Sequence, residues 1–596
     1  MNKVPAEDTM MTTNRKCGRL CLLAISIILL LPMCATAGGT WTLLTPPFGN
    51  STPAGLNLML LLSDGTVMAA ITGDPTYGQG VQNIWYRLTP DTHGSYVNGT
   101  WRLLARMHDT RDAYASVVLR DGRVFVAGGE YGSGRATAEV YDPQNNTWTS
   151  APVPSSLLDP TQHSPVLASP NSDGNQGFID SIAKILPDGR VLIAPVGPNH
   201  WGGTLIYDPI ANSWTNGPNT FSAYQDEASW VKLPDDSILT VDPFGINSER
   251  YIPSLNQWVQ DGIVPVSLYD SCDEIGPAFL LPDGHAFFIG GNGHTALYTP
   301  TGSTNPGTWV QGPDIPGGLA APDAPAAMMV NGKILCAVSY PCSNENFPSP
   351  THHYEYDPVA NSFTQVSDPP FLSCPTCFPQ PPPDPGPTYT AAMLDLPDGT
   401  VLYTHSTGSL FAYQPDGSPL VSGKPTISSI TQNADGSYHL IGTKLNGISE
   451  GAAYGDDAQM DSNYPLVRLT DGSGNVYYAR TYNWSSTSVM TGSTLISTEF
   501  RLPPSVAAGP YSLVAVANGN ASDPVQFYGP IWVDFNSGND SNIGSFSTPL
   551  KTMVHAISVV ASGRTIALKP GISHETMTIS KPMTIVAIGG AATIGQ

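Results

Sequence analysis

The sequence is poor in positive charge: 25 lysines and arginines stand against 48 aspartates and glutamates, for a formal net charge of −23. A surface this acidic repels phosphodiester backbones and anionic membranes, which argues against nucleic acid or a lipid surface as partner. Cysteine is scarce. Of eight, Cys17, Cys21 and Cys34 fall in the first 37 residues, leaving Cys272, Cys336, Cys342, Cys374 and Cys377. Cys374-Pro-Thr-Cys377 has no second Cys-x-x-Cys to complete a zinc site, so a local loop staple is the expectation. Cys336 and Cys342 read as a second such staple, with Cys272 as the odd thiol. Gly-x-Ser-x-Gly, a P-loop and His-Glu-x-x-His are all absent, which removes the commonest hydrolase, nucleotidase and zinc-protease signatures. Long apolar runs are absent too, except Leu20–Met33. That run is short for a membrane span. It follows Arg15, Lys16 and Arg19 and precedes Ala35-Thr36-Ala37, the pattern of a secretory signal ending near residue 37. An uncleaved anchor is the alternative. Without residues 1–37 the net charge is −25. Helical periodicity is rare after residue 35, while 59 glycines and 56 prolines punctuate alternating apolar stretches. That is the composition of many turns between short strands.

What is present is a repeat. Asp-Gly or a variant, followed by an apolar strand, occurs seven times in the first 410 residues: Asp64-Gly65, Asp121-Gly122, Asp188-Gly189, Asp235-Asp236, Asp283-Gly284, Asn331-Gly332 and Asp398-Gly399. Such pairs between apolar alternations are the strongest short hairpin signal, and a type I′ turn is expected at each. Spacings of about 47 to 67 residues fit four strands per unit and predict a seven-bladed β-propeller. After the hairpin come a Gly pair (Gly128-Gly129, Gly290-Gly291) and a strand ending in Tyr-Asp-Pro or a variant, with an aromatic residue a few positions on. Tyr141 with Trp148, Tyr207 with Trp214, Tyr251 with Trp258, Tyr298 with Trp309, and Tyr356 with Phe363 are the five copies. The seventh unit lacks its Trp strand. Thr40-Trp41-Thr42-Leu43-Leu44 matches it, so the N-terminal strand is expected to complete the last blade and remove an open edge.

These units resemble the kelch repeat over residues 38–422. Residues 423–529 read as an immunoglobulin-like β-sandwich, with Ala508-Gly-Pro-Tyr-Ser-Leu-Val-Ala-Val-Ala-Asn518 as its closing hairpin. A kelch propeller followed by such a sandwich resembles the galactose oxidase and glyoxal oxidase family. Residues 530–596 change character: Trp532-Val-Asp-Phe-Asn-Ser-Gly, a helical Val554–Ala561 and short apolar strands resemble the first coils of a pectin-lyase-like right-handed β-helix. So short a solenoid needs neighbours or a cap. The piece is therefore truncated or docks on something else.

The family resemblance implies a copper ion held by a Tyr-His pair on the last inner strand, a His on a sandwich loop that reaches down the propeller axis, and a Cys cross-linked to a Tyr in an early blade. Tyr389 matches the axial Tyr, but Thr390 stands at the His position, Gln459 at the second His and Ala113 near the Cys. Copper favours imidazole nitrogen, so these residues argue against it. Carboxylates take the location instead. Eight or nine residues upstream of the hairpin Asp or Asn lie Asp112, Asp180, Glu227, Glu274 and Asp323. Inner strands start at the face opposite the hairpins, so these acids are expected around one mouth of the axial channel, with Arg111 beside Asp112. If the sandwich loop caps that mouth, Asp456, Asp457 and Gln459 join them, with Tyr389, Trp230 or Trp201 as stacking faces. Three readings stay open: hydrogen bonds to neighbouring blades and Arg111, a Ca²⁺ held by oxygen ligands, or a sugar-binding mouth. The expected function is secreted or cell-surface binding without catalysis, with carbohydrate the favoured ligand and no cofactor other than Ca²⁺. The alternatives are an extracellular oxidase with altered chemistry and a structural or adhesion part. A monomer is expected unless the C-terminal segment docks on another chain.

Overall fold

The computed structural model describes residues 38–595 except 48–54, 72–80, 155–156, 158–177, 179–180, 196–201, 222–224, 226, 243–244, 345, 371–384, 406–407, 434 and 454–458. Residues 1–37, Cys374 and Cys377 therefore lie outside the described residues. Among the described residues no helix is long and apolar enough to cross a membrane.

Seven antiparallel sheets follow one another in chain order, each with four strands of the repeat. The fold is all-β and the ring is a seven-bladed propeller. All seven hairpins share one turn, and it is not type I′. Only the second turn residue has positive φ: Gly65, Gly122, Gly189, Gly284, Gly332 and Gly399 lie between 73° and 92°, and Asp236 substitutes at 66°. The preceding Asp or Asn is there for its side chain. Its Oδ1 accepts the backbone N–H two residues on, from Thr66, Arg123, Arg190, Ser237, His285, Lys333 and Thr400, at 3.0–3.1 Å. A type I turn closed by one left-handed residue leaves Asp free to act as a local acceptor.

The aromatic pairs also match: Tyr141 faces Trp148, Tyr207 Trp214, Tyr251 Trp258, Tyr298 Trp309 and Tyr356 Phe363 across the outer strand pair. A buried tyrosine hydroxyl needs a partner. In four blades it donates to an Asn five residues on: Asn146, Asn212, Asn256 and Asn361, at 2.8–2.9 Å. Each of these Asn residues caps the turn at φ 49–53°.

The ring closes as the repeat anticipates. Thr40–Leu44 pairs antiparallel with Leu410–Gln414, placing Trp41 opposite Tyr413. The Trp41 ring lies among His353, Tyr403, Phe411 and Tyr413 at 4.6–6.3 Å, and its Nε1 donates to the Ser367 carbonyl at 2.6 Å. One strand thus ties the seventh blade to the sixth.

Residues 426–529 form antiparallel strands around a core of Tyr438, Leu440, Val467, Leu469, Phe500 and Leu513. They pack on the hairpin face of the propeller. Thr481 N–H donates to Ser63 O at 3.0 Å, Arg120 Nε to Trp484 O at 2.7 Å, and Val476 N–H to Thr92 O at 2.8 Å. The turn glycines permit this closeness: a Cβ on Gly65 would sit 2.4 Å from the Tyr478 ring. From this base a hairpin, Gly451–Ala453 and Gln459–Asp461, runs up the axis and adds to the inner strand Ala326–Met328 of blade 6. The channel that a bare propeller would leave open is therefore occupied.

The C-terminal segment carries parallel ladders, Ile531–Val533 with Arg564–Leu568 and Met583–Ala587, and Gly571–Ser573 with Ala592–Ile594. A short helix, Met553–Val559, is capped by Thr552. The segment docks on the 426–529 strands. Arg564 lies over the Tyr528 ring, and Ser547 Oγ donates to Pro504 O at 2.8 Å.

Trp41 is partly buried, and Trp41→Ala is expected to cost about 3 kcal/mol, the low end of the range for truncating a large buried aromatic. Its urea midpoint should fall well below that of the parent. An unchanged midpoint would show that the N-terminal strand does not hold the ring.

Candidate functional site: an acidic mouth between blades 4, 5 and 6

Of the five ring acids, three converge. Carboxylate oxygens of Glu227, Glu274 and Asp323 lie within 4.8 Å of one another. They come from successive blades, each at the start of an innermost strand. Backbone conformation aims two of them. Glu227 and Asp323 sit at φ 49° and 48°, a left-handed conformation that costs a non-glycine residue roughly 1 kcal/mol or more and is typically held by its surroundings at functional positions. The same repeat position in blade 2 is Ala113, φ 48°. Glu274 stands one residue earlier in its repeat, and its strand carries a register shift between Ile275 and Ala278.

The remaining residues divide. Asp112 turns toward blade 1, where its Oδ1 accepts from Asn57 Nδ2 at 2.9 Å. Arg111 is not the free positive charge of the mouth. It is 2% exposed, and its guanidinium donates to the carbonyls of Gly128, Gly134 and Thr137 and pairs with Glu139 at 3.1 Å, all within blade 2. Trp230 is buried against Trp258 and offers no stacking face. Asp180, Asp456, Asp457 and Trp201 lie outside the described residues, and Gln459 opens the return strand of the axial hairpin. That hairpin reaches the mouth from below: Ala453 pairs with Ala326, three residues from Asp323. Tyr389 does belong here. It is 37% exposed, its ring meets Phe347 edge-on at 5.0 Å, and burial, together with the charge of Asp323, raises its pKa.

The loops under the acids are stapled differently from expectation. Cys272 pairs with Cys342, 70 residues away, and Cys336 is a buried free thiol on the strand Ile334–Val338. Cys336 is enclosed by its neighbouring strands, whereas Cys272 and Cys342 lie on facing loops of blades 5 and 6. Asp270 reinforces the joint by accepting N–H bonds from Cys272 and Cys342 at 2.8 Å and from Glu274 at 3.3 Å. The disulfide thus anchors the loop that carries Glu274 to the loop that carries Phe347, whose ring meets Tyr389.

Chemically the mouth is an oxygen-only donor set. Two like charges about 5 Å apart repel by roughly 3 kcal/mol at an effective dielectric constant near 20, and a divalent cation offsets that repulsion. Carboxylate oxygens are hard donors, whereas copper favours imidazole nitrogen. Thr390, at the family's His position, shares its hydroxyl between Pro387 O at 2.8 Å and Nε2 of the buried His405 at 2.6 Å.

The kelch motif model matches residues 113–152, which is blade 2. The chain carries a kelch motif in blade 2 of its seven-bladed propeller. Among solved structures it is similar to a fungal alcohol oxidase of the AA5 family in complex with copper, at 14% identity over 83% of this chain and 99% of that one, with TM-score 0.46. It is also similar to virginiamycin B lyase from Staphylococcus aureus (10% identity, 63% and 99% covered, TM-score 0.39) and to YCF48 from Cyanidioschyzon merolae (11%, 63% and 98%, TM-score 0.39). None of these likenesses carries a residue role to this chain. The sequence has no match among curated proteins.

Replacing both Cys272 and Cys342 by Ser should lower stability by about 2–4 kcal/mol, the usual effect of opening a long disulfide loop. The parent should lose the same amount on reduction. A variant whose denaturation midpoint equals that of the oxidised parent would refute this staple.

Proposed function

We propose that this is a non-catalytic binding protein of the extracellular space or cell surface, with its ligand site at the acidic mouth. The observation that carries the reading is the convergence of Glu227, Glu274 and Asp323 from three successive blades within 4.8 Å. Hard oxygen donors at such spacing suit Ca²⁺, whose coordination sphere accepts further oxygen ligands. Carbohydrate hydroxyls supply such oxygens, and the half-exposed Tyr389 beside the acids offers a stacking face. A disulfide and strong net negative charge fit an oxidising, cation-rich medium, as does the signal-like segment before residue 38. In this reading residues 423–529 are an immunoglobulin-like support, the C-terminal ladders are the opening of a β-helix, and the protein acts as a monomer.

A second reading, an extracellular oxidase with altered chemistry, draws on the family resemblance, which implies a role for Tyr389 and for a loop entering along the axis. The carboxylate donor set speaks against its copper.

Thermal melts with Ca²⁺ and with chelator provide the test. Calcium at a hundredfold excess over its dissociation constant should stabilise the fold by about 2.7 kcal/mol. The double variant Glu227→Gln, Asp323→Asn should lose that response and melt at least as high as the chelated parent. No calcium response, with both substitutions destabilising, would mean the acids serve only as hydrogen-bond acceptors between blades. A calcium-dependent glycan-array signal that vanishes in the double variant would support the carbohydrate assignment.

A further inference from the structure

At the foot of the axial hairpin, away from the acidic mouth, lies a second cluster of charge. Lys184 on the inner strand Ile182–Ile185 and Lys232 on Val231–Lys232 are both buried, at 2% and 1% exposure. Lys184 Nζ is 3.1 Å from Asp461 Oδ1, 3.4 Å from Oδ2 and 3.1 Å from Glu450 Oε2. Asp461 ends the return strand of the hairpin and pairs with Gly451, which sets Glu450 beside it. Lys232 is engaged elsewhere: its Nζ donates to the carbonyls of Ile185 at 2.8 Å and Thr487 at 3.0 Å, while its backbone N–H donates to Glu450 Oε2 at 3.2 Å. The other oxygen of Glu450, Oε1, is buried without a hydrogen bond among the described residues. Beside Asp461 a small cavity is walled by Val117, Ile185 and the stacked pair Tyr464 and Trp484, whose ring centroids are 4.6 Å apart.

An amine that contacts both oxygens of one carboxylate, with a second carboxylate against the same nitrogen, is placed for more than ion pairing. We propose that Lys184 and Asp461 condense to an intramolecular amide bond, with Glu450 carrying the proton. Glu450 takes a proton from the Lys184 ammonium. The neutral amine attacks Cγ of Asp461, forming the C–N bond; its second proton passes to a carboxylate oxygen, making a hydroxyl, and Glu450 returns the first proton to that hydroxyl, which leaves as water when the C–O bond breaks. The ammonium and carboxylate become one amide and one water; Glu450 ends as it began, and nothing is oxidised or reduced. Holding the groups in contact replaces a bimolecular step by an intramolecular one.

Burial favours a neutral Asp461, pushing its carboxyl up to about 6. On Lys184 burial acts downward, but attraction by Asp461 and Glu450 outweighs it, so the ion pair is the resting reactant and the proton carrier is needed. The product would join residues 277 apart in sequence and fasten the axial hairpin to blade 3.

Mass spectrometry of the folded, full-length protein after disulfide reduction tests this directly. The expected intact mass is one water below that of the sequence present. Trypsin should then fail to cut after Lys184 and release a branched peptide joining Lys184 to Asp461. Glu450→Gln should restore the full mass and the cleavage. The measurement on the parent stands alone should that variant not fold. A parent at full mass, with Lys184 cleaved normally, would overturn the proposal and leave a buried ion network.

Discussion

Ring closure is the constraint on which the rest of this structure depends. Each blade is a small twisted sheet that buries its faces only against the next blade, so an open series would leave one sheet with a bare face and an unpaired edge. The chain meets this with the pairing of Thr40–Leu44 and Leu410–Gln414, strands that lie more than 360 residues apart. Once the ring is shut, the starts of its inner strands are fixed relative to one another. Only then can Glu227, Glu274 and Asp323 be held within 4.8 Å against their mutual repulsion.

The two ends of the propeller do different work. At the hairpin face the turn residues are selected for closeness. Glycine at the second position lets the supporting strands approach to the point where the Tyr478 ring covers Gly65. At the opposite face the inner strands begin with acids in a strained backbone, above loops joined by Cys272 and Cys342. One face therefore carries packing and the other is free to carry recognition, as is common where loops sit on a rigid scaffold.

The sequence exposed what is local and hid what is relational. Seven Asp-Gly hairpins, the Tyr and Trp pairs and the closing strand all follow from short patterns repeated at an even period. The turn type differs from expectation because the Asp side chain, rather than its backbone tolerance, closes the turn. The Asn five residues after each blade tyrosine was visible too, and asking where a buried hydroxyl finds its acceptor would have found Asn146, Asn212, Asn256 and Asn361. The acids were legible as a ring, and three of them meet. Asp112, at the same repeat offset as Glu274, turns to Asn57 instead, and no count along the chain shows where a side chain points. Arg111, the Cys272–Cys342 bridge and the Lys184 cluster were hidden for a further reason. Each depends on which loop of one blade faces which loop of another, or on the register of a hairpin that joins the propeller from outside.

That axial hairpin has a consequence for where the protein can be divided. By sequence, the propeller ends near residue 422 and a new region begins. By hydrogen bonding, the sixth sheet ends at Asp461, because Gly451–Ala453 and Gln459–Asp461 extend it beyond its own four strands. During synthesis from the N-terminus, every strand of the ring exists before its axial strands do. The inner edge Ala326–Met328 waits unpaired until residues made much later arrive through the hairpin face. A chain cut at the apparent boundary would be a closed wheel without its axle, so the smallest piece that satisfies its own backbone spans both regions.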